Sequence, residues 1–311
     1  MKAIYIEQFG GPEVVRFGDL PDPTPGPGQV LVEVQAASVN GADCKVRAGN
    51  YADRGKQFTF PVIIGRDFSG VVGAVGTGVD DLKVGDEVFG VLEAGRNGTY
   101  AEKVVVGASV IAKKPAGLPH AHAAALALIG LTALAAIENC LKLQPGETIL
   151  IQGGAGGVAS TAIQIAKHLG ARVITTASGP NQPYLRSLGA DRVIDYTTTD
   201  FTIAVSGCDA VLDTVGGDVA LRSFEVLKPG GRAAFIASGA QAPTPERKDV
   251  TSLRPAATRA RAPLERIMEL HKAGVIATPP IKEYALSDAV EALRISEARH
   301  LQGKLVIKVR D

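Results

Sequence analysis

Cysteine, net charge and long apolar runs are all scarce in this chain of 311 residues. Its three cysteines, at positions 44, 140 and 208, form neither a disulfide framework nor a Cys-x-x-Cys pair. That usage points to a reducing compartment, the cytoplasm. Thirty-three basic and 32 acidic residues leave a formal charge of +1, with both signs mixed along the chain. Without a basic face of domain size, nucleic acid is not an expected partner. The longest apolar stretch, Ala123–Ile137, is 15 residues and mostly alanine. This is short of the roughly 20 residues that span a bilayer, so it reads as a buried helix and no membrane partner is expected. The opening MKAIYIEQFGG also lacks the apolar run of a signal peptide.

Glycine and proline, by contrast, are plentiful, at 36 and 18 residues. They follow no G-X-Y period, and the 46% apolar content is that of a globular protein. At roughly 150 residues per domain the length suggests two domains. Before residue 120 the chain is a series of short β-type runs, at 2–7, 30–38, 70–76, 87–92 and 100–106, punctuated by turns at 21–29, 76–81 and 95–99. That spacing predicts a compact, barrel-like β domain. After residue 120, strands at 148–153, 171–178, 191–196, 208–215 and 231–238 alternate with helices at 157–170, 181–189 and 218–228. The alternation predicts a doubly wound parallel sheet, hence an α/β protein. A sixth strand is weakly indicated at 249–253, inside a segment, 240–262, with five basic and two acidic residues that reads as a solvated loop. Helices at 263–274 and 287–298 and a final strand at 304–310 follow.

The sharpest local signal is TILIQGGAGGVASTAIQIAKHLGA, an apolar strand, then Gly154-x-Gly156-x-x-Ala159, then a helix. This is the dinucleotide fingerprint in its required setting. Gly154 allows the tight turn, Gly156 lets backbone approach a pyrophosphate, and Ala159 lets the helix lie close to the sheet. Ala155, Gly157 and Val158 complete the cradle, whose free N–H groups face the phosphates. An Asp or Glu about 20 residues on would bind the ribose of NAD. Here the second strand ends Thr175-Thr176-Ala177-Ser178 and the next acid is Asp191. With no carboxylate to repel a 2′-phosphate, NADP(H) is the expected cofactor. Val215 and Gly216, and Ala237 with Ser238 through Gly239, end the fourth and fifth strands and should pass along it.

The stretches ASVNGADCKVRAGNY (37–51), FPVIIGRDFSGVVGAVGTGV (60–79), KVGDEVFG (83–90), LIGLTALAAI (128–137), LRSLGADRVIDY (185–196), LDTVGG (212–217), LKPGGR (227–232) and GKLVIKV (303–309) join the glycine turn in one pattern. In combination the chain resembles the medium-chain dehydrogenase/reductase superfamily, and within it the zinc-independent quinone oxidoreductase branch, which includes enone reductases. The resemblance implies a GroES-like β-barrel-type catalytic domain of residues 1–121 and 267–311, and a Rossmann cofactor domain of residues 122–266. It implies that Asn40 and Tyr51 line the substrate cleft, that Thr132 lies near the nicotinamide, and that Ser178 and Tyr196 meet the adenosine 2′-phosphate. Lys304 belongs with the cofactor-binding set. A basic residue often found between Ser178 and Tyr196 appears here as Asn181. A homodimer built on the Rossmann sheet edge is common among such proteins and is the expected assembly.

In zinc-dependent members a cysteine and a histidine ligate the ion; here those slots hold Asn40 and Arg66. A guanidinium cannot ligate Zn²⁺ and an amide does so poorly, so no metal is expected. Hydride transfer from nicotinamide to a quinone or an α,β-unsaturated carbonyl fits that inventory. An Asn40 amide or Tyr51 hydroxyl would polarise the substrate oxygen, with Tyr51 or solvent supplying a proton. Asp43 reads as a residue that orients its loop. His120 and His122, at i, i+2 spacing, face different sides of a helix and read as surface residues. An NADPH-binding sensor or structural protein with little catalysis stays open as the alternative.

Overall fold

The computed structural model describes residues 1–52, 58–93, 97–239, 241–299 and 301–310. Positions 95 and 96 of the expected 95–99 turn, and position 240 of the expected loop, lie outside them. Two compact units result: Met1–Leu128 with Arg259–Glu269 and Pro280–Asp311, and Ile129–Thr258 with Leu270–Pro279. The α/β class and the split into a β-rich unit and a parallel-sheet unit are as the sequence indicates.

The first unit opens with β1 (Lys2–Ile6), β2 (Val15–Asp19), β3 (Gln29–Ser38), α1 (Gly41–Arg47), β4 (Val62–Ile63), β5 (Asp67–Val75), β6 (Glu87–Val91), β7 (Lys103–Gly107) and β8 (Ile111–Lys113). In β3 the buried Val30, Val32 and Val34 alternate with half-buried Leu31, Glu33 and Gln35, the period-two pattern of a strand with one face in a core. The core also takes in Ile4, Phe68 and Leu305. β3 is the hub, antiparallel to both β5 and β7.

Helix α2 (His120–Leu134) runs on through a π-helical turn, Ala135–Cys140. The continuous run is 21 residues, longer than the 15-residue apolar stretch, and is apolar enough to cross a membrane. Burial decides its character: 78% of its most apolar window is covered by the protein, as befits a core helix that is hydrophobic on all sides.

The second unit contains β9 (Thr148–Gln152), α3 (Gly157–His168), β10 (Arg172–Ala177), α4 (Gln182–Ser187), β11 (Arg192–Asp195), α5 (Phe201–Ala204), β12 (Cys208–Asp213), α6 (Asp218–Arg222), β13 (Leu227–Phe235) and β14 (Thr251–Leu253). Its six strands are all parallel, in the order β11-β10-β9-β12-β13-β14. The weakly indicated sixth strand therefore forms, as a three-residue edge beside Arg232–Ala234. Strand order reverses between β9 and β12, and such a switch point opens a crevice at the carboxyl ends of the strands.

α7 (Arg261–Lys272), β15 (Ile281–Ala285), α8 (Ala289–Glu297) and β16 (Lys304–Lys308) complete the chain. β16 pairs antiparallel with the end of β3, Val306 opposite Ser38, while Ser38 also faces Asp67 at the start of β5. This register carries Lys304 beyond the end of β3, to Val39 and Asn40.

Candidate active site

In the second unit, four of the expected cofactor-contacting segments emerge at the carboxyl ends of their strands. After β9, Gly154 lies where a Cβ would meet the Thr175 hydroxyl at 2.2 Å, so only glycine fits. Gly154 N–H donates to Thr176 O (2.9 Å), locking the turn against β10. Gly156 caps α3 in extended conformation, and a notional Cβ there would make only an ordinary contact with Gly153 O, at 3.5 Å. The first-turn N–H groups of Gly157, Val158 and Ala159 have no acceptor within the helix, the condition for an anion-binding helix start. Ala155 is buried at the same turn.

After β12, the buried Asp213 accepts from Val215 N (3.1 Å) and Gly216 N (3.0 Å). It fixes a turn through positive-φ Gly216, whose added Cβ would sit 3.2 Å from that of Ala237. The ends of β12 and β13 are thus side by side. Next to Ala237, the Ser238 hydroxyl is buried with no hydrogen-bond partner among the described residues. An orphaned hydroxyl at this crevice fits a ligand contact there. At the end of β10, Ser178 Oγ accepts from the Asn181 amide (3.0 Å), and Tyr196, half-exposed, donates its backbone N–H to Ala177 O (3.4 Å). Ser178, Asn181 and Tyr196 therefore gather on one rim. Thr132 is a half-buried residue of α2.

In the first unit, Asn40 begins α1, and its backbone N–H is held by Asp43 Oδ2 (2.8 Å). Its side chain is fully engaged. Nδ2 donates to Ser38 O (3.1 Å) and Asp67 Oδ2 (3.2 Å), and Oδ1 accepts from Lys304 Nζ (2.8 Å). Lys304 also donates to Val39 O (2.5 Å). Among the described residues its ammonium bonds go to Val39 and Asn40. Tyr100, fully buried, donates its hydroxyl to Asp43 Oδ2 (2.7 Å), and Ser38 Oγ donates to Asp67 Oδ2 (2.9 Å). Nothing local in the sequence marks Asp67 and Tyr100, since the partners come from β3, β5, the segment before β7, and β16.

Two buried carboxylates and one buried ammonium perturb one another. Desolvation, then the neighbouring Asp67, raises Asp43 to about 6. Burial also raises Asp67, against the pull of Lys304, and lowers Lys304 against the pull of Asp67. Asp43 Oδ1 has no hydrogen-bond partner among the described residues, so a charged carboxyl there would be left partly unpaired. A carboxyl raised on folding contributes stability that is present below its unfolded value near 4 and lost as pH climbs through about 6. Asp43→Asn keeps an oxygen for Tyr100 and Asn40 and removes the charge. Thermal melts from pH 4 to 8 are expected to show the variant gaining on the wild type by about 2–3 kcal/mol above pH 6, with no gain at pH 4. Parallel pH profiles for the two proteins would refute it.

Tyr51 follows α1 through Gly49, whose positive φ and approach to the Phe9 ring (3.0 Å from a notional Cβ) set the turn. The Arg66 guanidinium stands 6.0 Å from the centroid of the Tyr51 ring. Arg66 is itself buried, with Nε and Nη2 donating to Leu92 O (3.3 and 3.4 Å).

The expectation of a solvated 240–262 loop needs correction at its end. Arg259 is half-buried and paired with Glu93, and Arg261 donates to Ile111 O (3.0 Å) and Ala108 O (2.8 Å) and pairs with Asp81. His120 is likewise not a simple surface residue. It is half-buried, with Nδ1 at 2.7 Å from Ser69 Oγ and Nε2 at 3.2 Å from Glu87 Oε1. Ser69 is fully buried and donates to Val88 O (3.0 Å), so it is a structural latch, not an accessible nucleophile.

A zinc ion does not fit this donor set. Asn40 Oδ1 faces an ammonium at 2.8 Å and Arg66 offers only N–H donors. No group of three His, Cys, Asp or Glu suited to a metal is found among the described residues.

Residues 26–116 match the alcohol dehydrogenase GroES-like domain and residues 188–307 the zinc-binding dehydrogenase family. The chain is 32% identical to part of a mycocerosic acid synthase-like polyketide synthase of Mycobacterium tuberculosis, a match covering 98% of the chain but 15% of that protein's length. It is 33% identical to the chloroplastic NADPH-dependent alkenal/one oxidoreductase of Arabidopsis thaliana, covering 99% of this chain and 79% of the relative. The quinone oxidoreductase of Coxiella burnetii has a similar structure, with a TM-score of 0.92 and 35% identity, covering 100% of this chain and 99% of that one. The chain therefore belongs to the medium-chain dehydrogenase/reductase superfamily of oxidoreductases.

Proposed function

We propose that this chain is a zinc-independent, NADPH-dependent reductase of quinones or α,β-unsaturated carbonyls. The observation that carries the reading is the gathering of the glycine turn, the Val215–Gly217 turn and the orphaned Ser238 hydroxyl at the carboxyl ends of the parallel strands. Gly154, Ala155, Gly156, Gly157 and Val158 would hold the pyrophosphate. Ser178 and Tyr196 would meet the 2′-phosphate. Thr132, Val215, Gly216, Ala237 and Ser238 would line the rest of the dinucleotide. When bound, NADPH supplies a hydride from its nicotinamide.

On the first unit, Tyr51 would donate to the substrate oxygen as negative charge develops there. Asn40 would join it by exchanging its 3.2 Å bond to Asp67, the longer of its two donations, for one to the substrate. Lys304 holds the Asn40 oxygen, so the amide's N–H side is fixed in direction. Lys304 would thereby act as a positioning residue for Asn40.

Three free cysteines suit a cytoplasmic protein, and a homodimer is the assembly we expect. NADPH oxidation at 340 nm with 9,10-phenanthrenequinone and alkyl vinyl ketones tests the activity. Turnover of at least one class is expected. A flat trace with both, alongside intact NADPH binding, would overturn the reductase reading in favour of a binding protein.

A further inference from the structure

Besides Tyr51, the Arg66 neighbourhood holds a second cation. Arg259 sits close enough to Arg66 for that guanidinium's charge to act on it, and burial followed by Arg66 lowers its pKa. Arg259 Nη1 pairs with Glu93, a side chain that is 48% exposed while that of Arg259 is 19% exposed. Its Nε is buried and has no hydrogen-bond partner among the described residues. Arg66, for its part, spends one edge of its guanidinium on Leu92 O.

Among the described residues, Arg259 is paired with the half-exposed Glu93 and Arg66 acts on the buried Asp43, which burial holds toward its neutral form, so the two guanidinium groups outweigh these carboxyls in charge. A buried guanidinium N–H without an acceptor is costly, and its natural complement is an oxygen anion bound through Nε and an adjacent Nη. Glu93 occupies part of that role from the solvent side.

We propose that Arg259, with Arg66 as the second charge, recognises a carboxylate on the substrate, so that the preferred substrates are enones bearing an acid group. This rests on the reductase reading and specifies its substrate class. The carboxylate would take the Nε–H of Arg259 and displace or share Glu93. Tyr51, whose ring lies 6.0 Å from the Arg66 guanidinium, would then meet the carbonyl end of the same molecule.

The test compares trans-4-oxo-2-pentenoate with its methyl ester. Wild type is expected to favour the acid by at least ~10-fold in kcat/KM. Arg259→Gln should lose ~10–100-fold on the acid, the worth of one charge-assisted hydrogen bond, and stay within ~3-fold on the ester. Glu93→Gln, which removes the competing carboxylate, should improve KM for the acid several-fold.

A second readout needs no turnover: calorimetric binding of the saturated 4-oxopentanoate, with and without NADP⁺. Binding that is lost in Arg259→Gln while the melting temperature holds would establish the anion site even if no enone or quinone were reduced. Turnover without acid preference, together with 4-oxopentanoate binding unchanged in Arg259→Gln, would overturn the anion site and leave the reductase reading standing.

Discussion

Replacing Lys304 by methionine is expected to lower stability by about 3–5 kcal/mol, a drop in melting temperature on the order of 10 °C. The residue is 5% exposed, and its ammonium lies 2.8 Å from Asn40 Oδ1 and is acted on by the buried Asp67 and Asp43. Removing one member of a buried charge cluster leaves the others without compensation, and that penalty exceeds the modest net value of the intact pair. The discriminating control is the double variant Lys304→Met, Asp67→Asn, which removes both charges. It should recover more than half of the loss. If the two changes simply add, Lys304 is not balancing Asp67. Activity should fall in the single variant beyond what stability explains, because Asn40 loses the bond that fixes its amide.

The second large effect concerns the glycine turn. Gly154→Val is expected to weaken NADPH binding by on the order of 100-fold or more, read by fluorescence or calorimetric titration. A Cβ at 154 would stand 2.2 Å from Thr175 Oγ1 and 3.0 Å from Leu185 Cδ1. Thr175 cannot easily give way, since its hydroxyl donates to Ile151 O (2.7 Å) inside the sheet. The turn must therefore shift, and with it the N–H groups at the start of α3. Gly146→Ala is a useful contrast. That glycine has a positive φ but open space around it, so a modest loss of stability without loss of NADPH affinity is expected. Unchanged NADPH affinity in Gly154→Val would remove the turn from the binding site.

What the sequence determined by itself was whatever depends on neighbours along the chain. Gly154-x-Gly156-x-x-Ala159 between an apolar strand and a helix announces its turn within a few residues, and the alternation of Val30, Val32 and Val34 announces its strand. Even the weak edge strand at Thr251–Leu253 was legible, because a parallel sheet with five strands in place offers one more row of partners. The tertiary structure alone decided the charged interior. Asp43, Asp67, Tyr100 and Lys304 converge because β16 returns to pair with the end of β3 beside β5. Their separations along the chain leave no periodic trace. Likewise, His120 reads as a surface residue from its spacing, but β5 and β6 supply it with Ser69 and Glu87, and Arg259 reads as solvated but pairs with Glu93, 166 residues away. Backbone conformation is set by local sterics and propensity. The state of a buried charge is set by which distant groups share its low-dielectric surroundings, and only the folded chain specifies that.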